Sequence, residues 1–163
     1  GAYIYQGEEL GLHEVTDIPE DQIQDPQYLR NLKVDKGRDG CRVPLPWTQD
    51  GASFGFGTNG AHLPQPKWFK NHAVSVENER DGTLNLYRKA LKLRKQLQSE
   101  ESYKWIKTSS PQVLHLRRPN GWQCITNFNG PLYKLPAGEV LLSSQPLVNG
   151  KLPKNATVWL MGK

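Results

Sequence analysis

Leu84-Asn85-Leu86-Tyr87-Arg88-Lys89-Ala90-Leu91-Lys92-Leu93-Arg94-Lys95-Gln96-Leu97-Gln98 is where the chain changes its period. Apolar residues recur at Leu84, Tyr87 and Leu91, and again at Leu86, Ala90, Leu93 and Leu97, a wide stripe at helical spacing. Arg88, Lys89, Lys92, Arg94 and Lys95 cover the opposite side as a solvated face. The spacing predicts a packing helix, with Asp81-Gly82-Thr83 breaking it from a shorter one before it. Beyond Gln98 the period falls to two. Tyr103–Lys107, Val113–Arg117, Trp122–Thr126, Glu139–Leu142 and Thr157–Leu160 are short β-prone runs. Pro119-Asn120-Gly121, Asn129-Gly130-Pro131, Pro136-Ala137-Gly138 and Asn149-Gly150 separate them with turn chemistry. An antiparallel sheet or small sandwich follows from that pattern.

Upstream of the helix the chain is mostly loop. Ala2 to Gln6 is an apolar and aromatic run ended by Gly7, the pattern of a strand buried on both faces, as in a parallel sheet. Gly7 to Gly11 reads as a turn. Leu12 to Tyr28 is acidic and amide-rich, with breaks at Pro19 and Pro26; Asp17 is placed to cap one helical turn that begins at Pro19. Asn31 to Phe69 is loop throughout, a length that compact domains reserve for binding rims and lids. Gly55-Phe56-Gly57-Thr58-Asn59-Gly60 matches a dinucleotide-binding fingerprint by letter only. It lacks the preceding strand and following helix that the mechanism needs, and Pro64 and Pro66 come next. Strand, loop and helix therefore read as one βα unit of something larger, since an eight-fold β/α barrel takes about 250 residues and the chain has 163. A chain that opens directly on a buried strand is expected to be a fragment. Its uncovered faces imply self-association.

Composition narrows the partners. The net charge is +5 with a pI near 9.2, but much of the surplus sits on one helix and no nucleic-acid signature accompanies it. No apolar run approaches membrane-spanning length. Cys41 and Cys124 lack CxxC spacing, so neither a disulfide scaffold nor a metal site is expected, and no cofactor is implied. The expected compartment is reducing and cytoplasmic.

Gly37-Arg38-Asp39-Gly40-Cys41-Arg42-Val43-Pro44-Leu45-Pro46-Trp47 carries the candidate chemistry. Its glycines loosen the backbone, its prolines fix φ and remove donors, and neither helix nor central strand suits it. Charged groups on such a loop are either solvated or presented to a ligand. Arg42 offers a planar fork of donors suited to hydroxyls or a carboxylate, and Trp47 a flat apolar face that either walls a pocket or packs in the core. Arg38 and Asp39 are expected to brace the loop as a local pair.

These residues are specific enough to resemble a family. Ala2 to Leu12 resembles the eighth barrel strand of the α-amylase superfamily, glycoside hydrolase family 13, and more narrowly its α-glucosidase and oligo-1,6-glucosidase branch. Gly37 to Trp47 is similar to the arginine-bearing loop of that branch (GRD, two residues, then R and a Pro-containing run ending in Trp). Phe54-Gly55-Phe56 and Leu63-Pro64-Gln65-Pro66 look like its continuation in bacterial α-glucosidases. Leu86 to Lys95 is similar to the last barrel helix, and the β-rich tail corresponds to the carboxy-terminal antiparallel domain. The fold implied is the last βα unit of a TIM-type barrel over residues 1–98, followed by an all-β antiparallel domain over 99–163.

The resemblance implies a retaining α-glucosidase that hydrolyses terminal bonds of α-linked gluco-oligosaccharides. Arg42 would reach the glucose beside the scissile bond, Trp47 would wall the pocket, and Arg38, Asp39 and Glu9 would support the loop and the barrel end. Retaining glycosidases need two carboxyls about 5–5.5 Å apart. The family carries them on strands preceding the eighth, and none of the motifs around those acids occurs here. No catalytic residue is therefore expected in this chain, which alone should be inactive. The acids Glu14, Asp17, Glu20, Asp21 and Asp25 are expected to be solvated. Two alternatives stay open: an isomerase or transferase of the same superfamily, and a non-catalytic carbohydrate-binding or assembly module. The mark of the latter would be Trp105, Trp122 and Trp159 exposed in a row on one sheet face rather than buried as core.

Overall fold

Glycine at positions 7 and 11 permits the left-handed backbone, φ 92° and 65°, that folds Glu8–Leu10 into a 3₁₀ turn and buries Leu10. The computed structural model describes residues 1–31 and 34–162. Leu32 and Lys33, inside the loop expected from Asn31 to Phe69, lie outside the described residues. The chain divides into two units, Gly1–Arg88 and Lys89–Lys163.

The first unit is built from turns rather than long elements. Helix α1 (Pro26–Arg30) and helix α2 (Val74–Glu79) are short, and α3 (Thr83–Gln96) begins in this unit, after the break expected at Asp81-Gly82. Further 3₁₀ turns form at Glu20–Gln22, Asp39–Cys41, Ala52–Gly55 and Lys67–His72. Val15, Ile18, Ile23, Tyr28, Val43, Leu63 and Phe69 supply the core, so the long loop is anchored by side chains from along its length. Two readings need correction here. No strand forms over Ala2–Gln6, and Tyr3 is 97% exposed: a strand needs neighbours for its amides and carbonyls, and the described residues supply none. The helical turn expected after Asp17 forms as the 3₁₀ turn Glu20–Gln22, but its N-cap is Pro19 and no side chain caps it, so Asp17 does not have the expected role. The side-chain cap in this stretch belongs to α1: Asp25 accepts from the Gln27 amide at 2.9 Å, with Pro26 at the first helical position.

Helix α3 carries the expected stripe, but only Leu84 is fully buried; Leu91 is 39% exposed. The second unit centres on a five-stranded antiparallel sheet in the order β1 (Lys104–Trp105), β2 (Val113–Arg117), β3 (Trp122–Asn127), β7 (Ala156–Gly162), β5 (Gly138–Ser143). Two further two-residue strands, β4 (Tyr133–Lys134) and β6 (Lys151–Leu152), pair with each other. Alternation sets the faces. Val113, Ile125, Ala156, Val158 and Leu160 point to one side, where with Leu152 they form the core. Buried His115 and Gln123 meet on that side at 2.7 Å. The registers Trp105↔Leu116, Leu116↔Cys124, Cys124↔Trp159 and Leu142↔Trp159 place a row of apolar residues on the opposite face. Trp122 lies on this face too, edge-on to Trp159 at 5.3 Å between ring centroids. All three tryptophans thus share the side away from the core, with Trp105 62% exposed and the other two half-buried.

Candidate functional site

The loop from Arg42 to Phe56 is fixed by backbone groups before any side chain contributes chemistry. The amides of Trp47 and Thr48 both donate to the Phe54 carbonyl, at 2.8 and 2.9 Å. That carbonyl is aimed by an unusual backbone: Ser53 and Phe54 both have φ of 49°, a left-handed conformation that is costly without glycine. The Gln65 amide then donates to the carbonyls of Pro44 and Ser53, at 2.9 and 3.0 Å. Finally, the Pro46 and Trp47 carbonyls accept from the amides of Val74 and Ser75, capping the start of α2, where no side chain does so.

Arg42 leaves the 3₁₀ turn Asp39–Cys41 toward two buried carboxylates. Its Nη1 donates to Asp25 Oδ2 at 3.0 Å and lies 4.0 Å from Asp39 Oδ1. Both aspartates are themselves held. Asp39 Oδ2 accepts from the amides of Gln24 and Asp25, while Asp25 accepts from the amides of Gln27 and Arg38. Gly37 is required at that approach: its φ is 72°, and a β-carbon there would run into the Asp25 carboxyl. The Arg42 side chain remains 43% exposed, and its Nη2 and Nε make no hydrogen bond among the described residues. The result is a guanidinium locked on one edge and open on the other, able to donate two parallel bonds to hydroxyls.

The site residues expected from the sequence are distributed unevenly around this centre. Asp39 turns to the Gln24 and Asp25 amides and to Arg42, so the expected Arg38–Asp39 pair does not form; Arg38 contributes its backbone amide to Asp25. Asp25, expected to be solvated, is the main partner of Arg42 and 6% exposed. The Asp25-Pro26 dipeptide was the sequence signal that could have found it. Trp47 is 50% exposed and packs in neither core cluster of the described residues. Glu9 accepts from the Gly7 amide at 3.0 Å and so braces its own turn. Its neighbour Glu8 accepts from the Tyr87 hydroxyl at 3.1 Å, and burial raises the pKa of that hydroxyl. A cavity of about 250 Å³ in this unit is bounded by Glu14, Val15, Ile23, Asp35, Lys36 and Gly40 among others, and neither Arg42 nor Trp47 lines it. Among the described residues no group of three His, Cys, Asp or Glu is placed to hold a metal ion.

The amides of Arg38 and Gln27, and then the Arg42 charge, hold the Asp25 carboxyl below its ordinary value of 3.8. A group with a depressed folded pKa stabilises the fold above its unfolded value and loses that contribution as pH falls through the folded one. The stability difference between the wild type and Asp25→Asn should therefore be full at about pH 6 and shrink below about pH 3.8. Urea midpoints at several pH values check this, and a difference that stays constant into acid would contradict it.

Known proteins share this architecture. The chain aligns with the crystal structure of the alpha-glucosyl transfer enzyme XgtA with a TM-score of 0.72 and 32% identity, covering 98% of this chain and 32% of that one. It aligns with Bacillus licheniformis trehalose-6-phosphate hydrolase at the same TM-score and 22% identity, covering 99% of this chain and 36% of that one; at this identity the likeness is one of fold. Among curated proteins, a probable alpha-glucosidase of Rhizobium meliloti is 39% identical over 95 residues, 56% of this chain and 16% of that protein. The oligo-1,6-glucosidase of Parageobacillus thermoglucosidasius is 27% identical over 172 residues, 90% of this chain and 30% of that protein. The sequence model of the alpha-amylase catalytic domain matches residues 1–101, and the chain belongs to that family. It spans between 16% and 30% of the length of these curated relatives.

Proposed function

We propose that the chain is the carboxy-terminal portion of a retaining α-glucosidase acting on terminal α-glucosidic bonds of small oligosaccharides. Residues 1–98 would end its (β/α)₈ barrel and 99–163 would form its carboxy-terminal β domain. The observation that carries this reading is the half-open Arg42 guanidinium, charge-balanced by two buried aspartates on a loop within the family match. In this role its free edge fixes a glucose hydroxyl beside the scissile bond, with the exposed ring of Trp47 as a wall. The exposed apolar run Tyr3-Ile4-Tyr5 fits the same proposal, as barrel sequence without its neighbours. We assign the protein to the cytoplasm, in keeping with two free thiols. XgtA, 32% identical over nearly the whole chain and named for glucosyl transfer, favours a second reading in which a sugar hydroxyl replaces water as acceptor.

No acid pair is assigned to these residues, so the purified chain should give no turnover of an aryl α-glucoside. A protein that joins it to the rest of a family barrel should hydrolyse that substrate. Sustained hydrolysis by the chain alone would refute the proposal, and adding acceptor sugars to the joined enzyme separates hydrolysis from transfer.

A further inference from the structure

The second unit sets two positive charges side by side with nothing to balance them. Lys104 on β1 and Arg117 on β2 are direct cross-strand partners, and like charges placed opposite each other destabilise a sheet. Arg118 follows at the turn, its guanidinium held 5.8 Å above the centre of the Trp122 ring. Among the described residues none of the three makes an ion pair. They share a groove of about 370 Å³ with Tyr103, Ile106 and Pro119, and no carboxylate lines it. A site for a neutral sugar would mix donors with acceptors. To its three cations this groove adds only the hydroxyls of Ser102 and Tyr103, so donors dominate it, which suits a ligand made of acceptors and negative charge.

We infer that the Lys104–Arg117–Arg118 groove binds a small anion of the phosphate-ester class, separately from Arg42 and independently of the function proposed above. The phosphate would sit between Lys104 and Arg117 and relieve their repulsion, and the ester's organic body would rest against Tyr103 and Ile106. Titration of the intact chain with glucose 6-phosphate, inorganic phosphate and glucose, read by calorimetry or amide shifts, tests this. Glucose 6-phosphate should bind saturably and weaken as salt rises, whereas glucose should not bind. Inorganic phosphate binding as tightly as the ester would confine the site to the anion alone and overturn the role of Tyr103 and Ile106. Lys104→Gln with Arg117→Gln should weaken the ester at least about tenfold. Arg94→Gln, which removes a charge on α3 instead, should leave it unchanged. Equal weakening by both variants, equal binding of glucose, or no binding at all would overturn the inference. A natively folded amide spectrum of the double variant guards against a trivial loss.

Discussion

Replacing Arg42 by lysine in the joined enzyme should lower kcat/KM for an aryl α-glucoside about 100-fold, equivalent to roughly 2.7 kcal/mol of transition-state stabilisation. Lysine keeps the charge, and its ammonium can still reach Asp25. Its remaining N–H donors splay from one tetrahedral nitrogen, so it cannot stay on Asp25 and also present the planar, parallel pair of donors that the far edge of the guanidinium offers. Arg38→Lys is the control: Arg38 takes part through its backbone alone, its amide donating to Asp25 and its carbonyl accepting from Cys41, so a change of less than about threefold is expected. Similar losses for the two variants would remove Arg42 from the site.

Asn127→Ala should destabilise the second unit by about 3 kcal/mol. Asn127 is completely buried at the end of β3. The two N–H groups of its amide are shared among the carbonyls of Pro131 at 2.9 Å, Leu152 at 3.3 Å and Gly130 at 3.4 Å. Its carbonyl accepts from the Gly130 amide at 2.9 Å. One side chain thereby joins the five-stranded sheet to β6 and closes the turn after β3. Alanine leaves a buried amide and several carbonyls without partners, and each such group costs on the order of 1–3 kcal/mol. Asn127→Asp retains the acceptor but sets a charge among carbonyl oxygens, so it should be at least as harmful near neutral pH. Chemical denaturation of both variants measures this; a loss under about 1 kcal/mol for alanine would mean the turn is held by other contacts.

Local chemistry made part of this structure legible in advance. β2 was readable to the residue and β3 to within one, because alternation and the turns at Pro119-Asn120-Gly121 and Asn129-Gly130-Pro131 are encoded over a few neighbours. β4 and β6 were not, since two residues show no period. Ala2–Gln6 carries the composition of a strand, yet a strand is a relation between stretches of backbone, and the described residues offer this one no pairing partner. The same limit hid Asp25. Sequence paired Asp39 with its neighbour Arg38, whereas folding turned Asp39 toward Arg42 and gave Arg42 a nearer carboxylate seventeen positions earlier, beside Gly37. The three tryptophans show the same limit: they lie on three different strands, so period two alone could not say that they share a side, which the strand registers decide.

Because the carbonyls of Pro46 and Trp47 accept from the amides of Val74 and Ser75, the backbone that carries the indole is fastened to the first turn of α2. Shifting that stretch of backbone must give up two hydrogen bonds at the helix start, so the ring's anchor point has the stiffness of a helix end while the ring itself turns about its own side-chain bonds. A proline at Ser75 would remove one of those hydrogen bonds while leaving Arg42 and its two aspartates unchanged, slackening the Trp47 backbone alone.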